Sequence, residues 1–423
     1  MNRYSSKTLV LSRALALLVG LAVTAGIQAE TLFINDATVH TMSSAGVIED
    51  GDILVRDGKI ESVARGLTAP EDATIIEALG RPVTPGFFAG ITRLGLEEIS
   101  AVESSVDAGL ATEAMRPEFD ITPAYNPNSS LVPVTRIEGY SWSVLGASRS
   151  GSIIAGQGRA VSLDGSYGSF LGENILYIDV GADASAQSGD SRAAQWMLLE
   201  QAMAEAATEL RWSPAPLLTV AGRETLNGYR TTGIVMFNVD RASDILQVIE
   251  FSGRHGINSV ISGGTEAWMV ADQLAEAGIP VLLNALSNLP GSFDMLGARL
   301  DNAAILNEAG VTISFHGAGT HQARKLRQLA GNAVANGLPY EAGLAAMTVS
   351  PVAIFGLGDK RGSLEADSVA DLVIWSGDPL EVTTAADQVI IAGRPVEMVS
   401  RQTLLRDRYL PQEAAMPRAY IKP

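Results

Sequence analysis

The chain has 423 residues, with 47% hydrophobic and 18% charged side chains, which excludes a disordered protein and leaves room for a barrel-sized core plus a smaller unit. It carries 47 acidic residues against 30 Lys and Arg, net −17, so its surface repels nucleic acid and anionic membrane. Cysteine is absent, which rules out disulfides and thiolate metal sites, and histidines number only four.

Residues 1–29 read as a secretory signal peptide. Arg3, Lys7 and Arg13 precede an apolar run from Ala14 to Ala25, and Ile27-Gln28-Ala29 supplies the small-residue cleavage site. The run is shorter than the roughly 20 residues that a spanning helix needs. Cleavage would leave 27 basic residues against 47 acidic ones, net −20, and a periplasmic or secreted protein with no membrane attachment.

From Thr31 to Val83 apolar and polar residues alternate between turn signals, and Asp57-Gly58 between two alternating runs predicts a hairpin. The next stretch, VTPGFFAGITRLGL from Val83 to Leu96, reads as the first strand of a larger unit. Beyond Leu94 a Pro- and Asn-rich excursion leads to the strand around Tyr140. The glycine-rich stretch SRSGSIIAGQGRAVSLDG lacks the Gly-Lys-Ser/Thr ending of a phosphate loop, and it reads as a loop over a barrel mouth. Residues 191–210 predict an amphipathic helix, with Trp196, Leu199, Met203, Ala206 and Leu210 on its core face. Residues 211–232 have no clear assignment.

After Gly233 strands and helices alternate. Strand centres near Val235, Val260, Val281 and Ile313 predict βα units of a parallel barrel, whose functional residues stand at the carboxyl ends of the strands. The C-terminal runs ADLVIWSGDP and ADQVIIAGRPVEM return to strand, turn, strand. The fold expected is therefore α/β: a (β/α)8 TIM barrel over residues 85–357, with a small β-sandwich assembled from both termini, residues 30–84 and 358–423.

The strings GDILVRDGKI, VTPGFFAGITRLGL and ADLVIWSGDPL resemble the amidohydrolase superfamily, in its imidazolonepropionase-like branch. The resemblance spans roughly Thr31 to Arg401 and implies hydrolysis of C–N bonds at a zinc or other divalent metal centre. It also implies a His-x-His pair after the Pro-Gly-Phe, a His at each of two central strand ends, and an Asp on the last strand.

This chain departs from that pattern at each place. The paired positions are Ile91 and Arg93, and neither an alkyl group nor a guanidinium has a lone pair to give. The central positions fall on Asn238, before the helix opening Arg241-Ala242-Ser243-Asp244, and on Gly263, before Gly264-Thr265-Glu266. Glu266 is expected to cap the following helix. The last position falls on Phe315 or His316.

No cofactor is therefore expected. The expectation is a periplasmic amidohydrolase-fold protein that is non-catalytic, regulatory or ligand-binding. Its partner would be a paralogous active subunit or a small carboxylate or amide ligand, the carboxylate held by Arg93 unless Arg93 pairs with Glu97 or Glu98. The alternative is an active C–N hydrolase with an atypical site built on Asn238, His316 and His321.

Overall fold

The computed structural model describes residues 31–410, apart from 150, 208–214, 318 and 359. The expected signal peptide and Leu210 lie outside the described residues.

Five strands open the chain: β1 (Leu32–His40), β2 (Val47–Arg56), β3 (Lys59–Arg65), β4 (Thr74–Glu77) and β5 (Pro82–Pro85). The β2–β3 hairpin turns where expected. Arg56 faces Lys59, and Asp57 and Gly58 both take positive φ, 52° and 77°, which a two-residue turn between twisted strands demands.

Eight strands follow in the second sheet: β6 (Phe87–Thr92), β7 (Tyr140–Leu145), β8 (Ile154–Ser162), β9 (Phe170–Asp179), β10 (Ile234–Val239), β11 (Ser259–Gly263), β12 (Val281–Leu283) and β13 (Ile313–Phe315). The chain ends in β14 (Leu372–Trp375), β15 (Ala386–Ile391) and β16 (Arg394–Pro395). These last strands join the opening ones in one sheet of order β16-β15-β14-β5-β1-β2-β3, with β4 beside β1, so both termini do build one unit. Leu32, Ile34, Ile53, Leu372, Ile374 and Ile390 form its buried core.

The second sheet pairs its strands in chain order and curls into a barrel. Its seam is bridged by backbone: the Phe88 N–H donates to Met347 O at 2.8 Å, and Ser314 Oγ donates to Ala346 O at 2.7 Å. Phe88, Trp142, Val144, Tyr177, Met236 and Leu282 fill the interior, where the Phe88 and Trp142 rings lie 4.5 Å apart. Helices cover the outside. The helix Arg192–Ala207 buries Leu199, Met203 and Ala206, as its spacing predicts, and Trp196 packs on Phe251 of the helix Ala242–His255. The unassigned stretch contains the helix Val220–Tyr229, capped by Thr219, whose hydroxyl accepts from the Gly222 N–H.

One expectation is corrected. The glycine-rich stretch is no loop over the mouth: its residues 154–162 are β8, a barrel strand antiparallel to both neighbours. Glycine is there for close approach. A Cβ on Gly158 would lie 1.9 Å from the Leu145 carbonyl oxygen, and Gly156 holds φ 119° against Phe119.

The Pro-Gly-Phe step has a similar reason. β5 ends in the terminal sheet at Pro85 and β6 begins in the barrel at Phe87, so Gly86 makes the crossing, and a Cβ there would meet Ser141 Oγ at 2.4 Å. Phe87 then packs on Trp375 of β14, ring centroids 5.0 Å apart, and Trp375 Nε1 donates to Thr84 Oγ1 at 2.9 Å.

Gly158→Ala should cost about 1–3 kcal/mol, because the added methyl overpacks a β-strand that cannot retreat. Denaturant unfolding measures this, and an unchanged midpoint would contradict the placement of Gly158 in β8.

Candidate functional site

Side chains alternate faces along a strand, so in a barrel every second residue points inward. On β9 the inward series is Ile175, Tyr177, Asp179; on β10 it is Ile234, Met236, Asn238; on β11 it is Val260, Ser262. The register aligns Asp179 with Asn238 and Asn238 with Ser262. A carboxyl, an amide and a hydroxyl therefore stand in one row on adjacent strands, directly above the apolar floor.

That row lines a cavity of about 500 Å³ at the carboxyl ends of the strands, the working end of such barrels. Of the residues singled out in the sequence, Ile91, Arg93, Asn238, His316 and His321 all line it. Gly263 does not. The register assigned from sequence is one residue off at β11, and alternation brings Ser262 inward instead. Gly263 takes φ 103°, and a Cβ there would press on Val239 O at 2.9 Å. On β13 Phe315 is buried in the core, so His316 faces the cavity.

Glu266 is also corrected. It clasps the preceding helix rather than the following one: its Oε2 accepts from the Ala242 N–H at 3.1 Å, at the start of the helix Ala242–His255, and its Oε1 accepts from the Gly297 N–H at 2.9 Å.

Arg93 sits on one wall with its side chain 42% exposed. Its Nη1 stands 3.4 Å from Oε2 of the buried Glu97, so the expected ion pair exists but is long. Glu97 Oε2 also accepts from Thr320 Oγ1 at 3.4 Å, and His321 Nε2 lies 3.8 Å from Glu97 Oε1.

On the opposite wall Asn238 Nδ2 donates to Asp179 Oδ1 at 2.9 Å, and Arg149 Nη1 approaches the same oxygen at 3.6 Å. Burial pushes the Asp179 carboxyl above its usual range, opposed by the Asn238 hydrogen bond and the Arg149 charge. Sequence reasoning missed both Asp179 and Arg149. The available signal was NILYIDV, an apolar strand run ending on an acid.

The histidines face different surroundings. His316 Nε2 is shut off from solvent with no hydrogen-bond partner, and burial holds the imidazole below its usual pKa, against the pull of the Asp240 carboxylate. His321 stands in the turn Thr320–Lys325 beside Glu97.

These residues do not fit a divalent metal. Among the described residues no three His, Cys, Asp or Glu side chains converge. At the mouth the candidate donors are Asp179, Asn238 and His316 on one wall and Glu97 and His321 on the other. The Asp179 oxygen already serves Asn238 and Arg149, and an amide is a poor zinc ligand. Arg93 adds a cation where a metal would need neutral or anionic groups.

A folded His316 that resists protonation makes stability depend on pH. Its native pKa lies below the unfolded value near 6.5, so below that pH the unfolded chain binds a proton that the native chain refuses. Stability should therefore fall as pH drops through about 6.5, by up to about 1.4 kcal/mol per pH unit from this group. Replacing His316 by Gln should shrink the difference between urea midpoints at about pH 7.5 and about pH 5.5. An equal difference in both proteins would contradict a neutral, buried His316.

Known proteins agree with this architecture. The Amidohydrolase family profile matches residues 308–397. Amidohydrolase tasK of Hapsidospora irregularis is 46% identical over 46 residues, a stretch that is 11% of this chain and only 5% of that protein. The crystal structure of an amidohydrolase from Thermotoga maritima MSB8 superposes with a TM-score of 0.76 at 24% identity, covering 86% of this chain and 99% of that one. A prolidase crystallised with N-methylphosphonate-L-proline gives 0.55 at 13% identity, over 87% and 99% of the two chains. An adenosine deaminase from Xanthomonas campestris, crystallised with zinc, gives 0.53 at 17% identity, over 89% and 97%. The chain thus shares its fold with solved amidohydrolases over most of its length, and residues 308–397 match the family's sequence pattern.

Proposed function

We propose that this chain is a ligand-binding amidohydrolase homologue that has left the metal chemistry behind and holds a small carboxylate at its barrel mouth. The observation that carries this reading is Arg93. It lines the cavity at a place where the resemblance implies a metal-binding imidazole, and its side chain is 42% exposed, with a 3.4 Å contact to Glu97.

A guanidinium presents a rigid fork of N–H donors that matches a carboxylate, and one held loosely can turn to such a ligand. The cavity volume falls within the range of small-molecule sites. Ile91, Tyr177 and Met236 supply apolar lining for the rest of the ligand.

Metal-route hydrolysis has little support from these side chains. Without a bound cation, water is far too weak an acid to supply hydroxide usefully at neutral pH. A hydrolase built on His316 and His321 has weaker support than binding, because the one nitrogen of His316 without a partner is shut off from solvent.

The periplasm or the exterior is the proposed location, on the strength of residues 1–29. No helix among the described residues is long and apolar enough to cross a membrane.

A thermal-shift series with acetate, propionate, benzoate and glutarate tests the reading. At least one acid should stabilise the wild type, by about 2.7 kcal/mol when present at about a hundred times its Kd. Arg93→Ala should weaken binding by about 10–100-fold, the worth of a charge-assisted pair. Equal responses from both proteins would contradict the proposal.

A further inference from the structure

The cavity wall opposite Arg93 has a different chemistry. Two of its residues present acceptors. Asn238 uses its Nδ2 on Asp179 Oδ1, so its own Oδ1 is left to accept, and the residue is exposed to the cavity. Asp179 presents a carboxyl whose cationic neighbour, Arg149, stands at 3.6 Å, beyond hydrogen-bond distance. His316 lies on the same wall, but its Nε2 is shut off from solvent and offers no acceptor to a ligand.

The charges around this wall point the same way. Asp183 stands close enough to Asp179 to act on its carboxyl, and Asp240 acts on His316. Against these three carboxyl groups the wall holds one nearby cation, Arg149. Asp240 is bound within the fold, accepting from the Thr265 N–H at 3.1 Å and from Thr265 Oγ1 at 2.6 Å, so it supplies field rather than a free acceptor. An anion would be repelled from this wall, and a cation with N–H groups would be drawn to it.

We infer that the wall formed by Asp179 and Asn238 is an ammonium subsite, so the ligand is a small zwitterion with its carboxylate at Arg93 and its amine at Asp179. A primary ammonium carries three N–H donors, and the Asp179 carboxyl and Asn238 Oδ1 offer it acceptors at the cavity. It also adds positive charge beside a buried carboxyl whose ion pair with Arg149 is long, 3.6 Å. The inference rests on Arg93 as the carboxylate anchor and adds the second end of the ligand.

Isothermal titration of the full-length protein decides it. The ligands are glycine, β-alanine, γ-aminobutyrate and ε-aminocaproate, each against the alkanoate of the same length. At the length that spans the cavity, the amino acid should bind the wild type at least about tenfold more tightly than its alkanoate, the worth of a charge-assisted hydrogen bond. Asp179→Asn should reduce that ratio to near one, while Arg93→Ala should weaken both ligands. The wild-type series stands alone if Asp179→Asn fails to fold. A ratio near one at every length, with alkanoates still bound through Arg93, would overturn the ammonium subsite and leave the carboxylate reading in place. A high ratio that survives Asp179→Asn would overturn the assignment to this wall. Absence of Arg93-dependent binding by every ligand would overturn both.

Discussion

A carboxyl group taken out of water must find donors or a cation, or give up its charge. Asp179 is that group here, at the inner end of β9, and the mouth of the barrel is arranged around it. Asn238, its register partner on β10, donates to it, and Arg149 leans on the same oxygen. In a metal-dependent relative a divalent ion would dominate this field. In this chain Asn238 and Arg149 oppose it, and the length of the Arg149 contact is the basis of the proposed ammonium subsite.

The rigidity that such a site needs comes from below and from the side. Phe88, Trp142, Tyr177 and Met236 close the barrel interior beneath the polar row. The terminal sheet locks the entry of β6 through Gly86, Phe87 and Trp375, and Arg327 lies over the Trp375 ring at 5.4 Å while donating to the carbonyls of Pro379, Glu381 and Thr384. Preserved packing around altered donors separates fold from chemistry: the frame depends on volume and close approach, whereas a metal site depends on a few lone pairs.

How much of this was legible in the sequence followed physical lines. The four strands β10 to β13 were readable because each βα unit repeats its apolar run and helix at similar spacing. The β2–β3 hairpin was readable because Asp57-Gly58 admits few conformations. Ile91 and Arg93 were readable as residues at the cavity because the Pro-Gly-Phe before them fixes the strand's entry. Asp179 was missed because Gly156 and Gly158 imitate a loop, which hid the β8–β9 pair and with it the strand that ends on the acid. Gly263 was taken for Ser262 because a one-residue register shift reverses which face a side chain occupies. Glu266 was given to the wrong helix because its partners, Ala242 and Gly297, are distant in sequence.

The claim that binds these points together is that Arg93, Ile91 and the Asp179–Asn238 pair have replaced a metal centre. Elemental analysis for zinc, iron and manganese, on protein expressed with all three supplied and then exhaustively dialysed, tests it most directly. The account predicts metal far below one equivalent per chain and no loss of thermal stability with a chelator. About one equivalent per chain, lost when Asp179 or His316 is replaced, would contradict it.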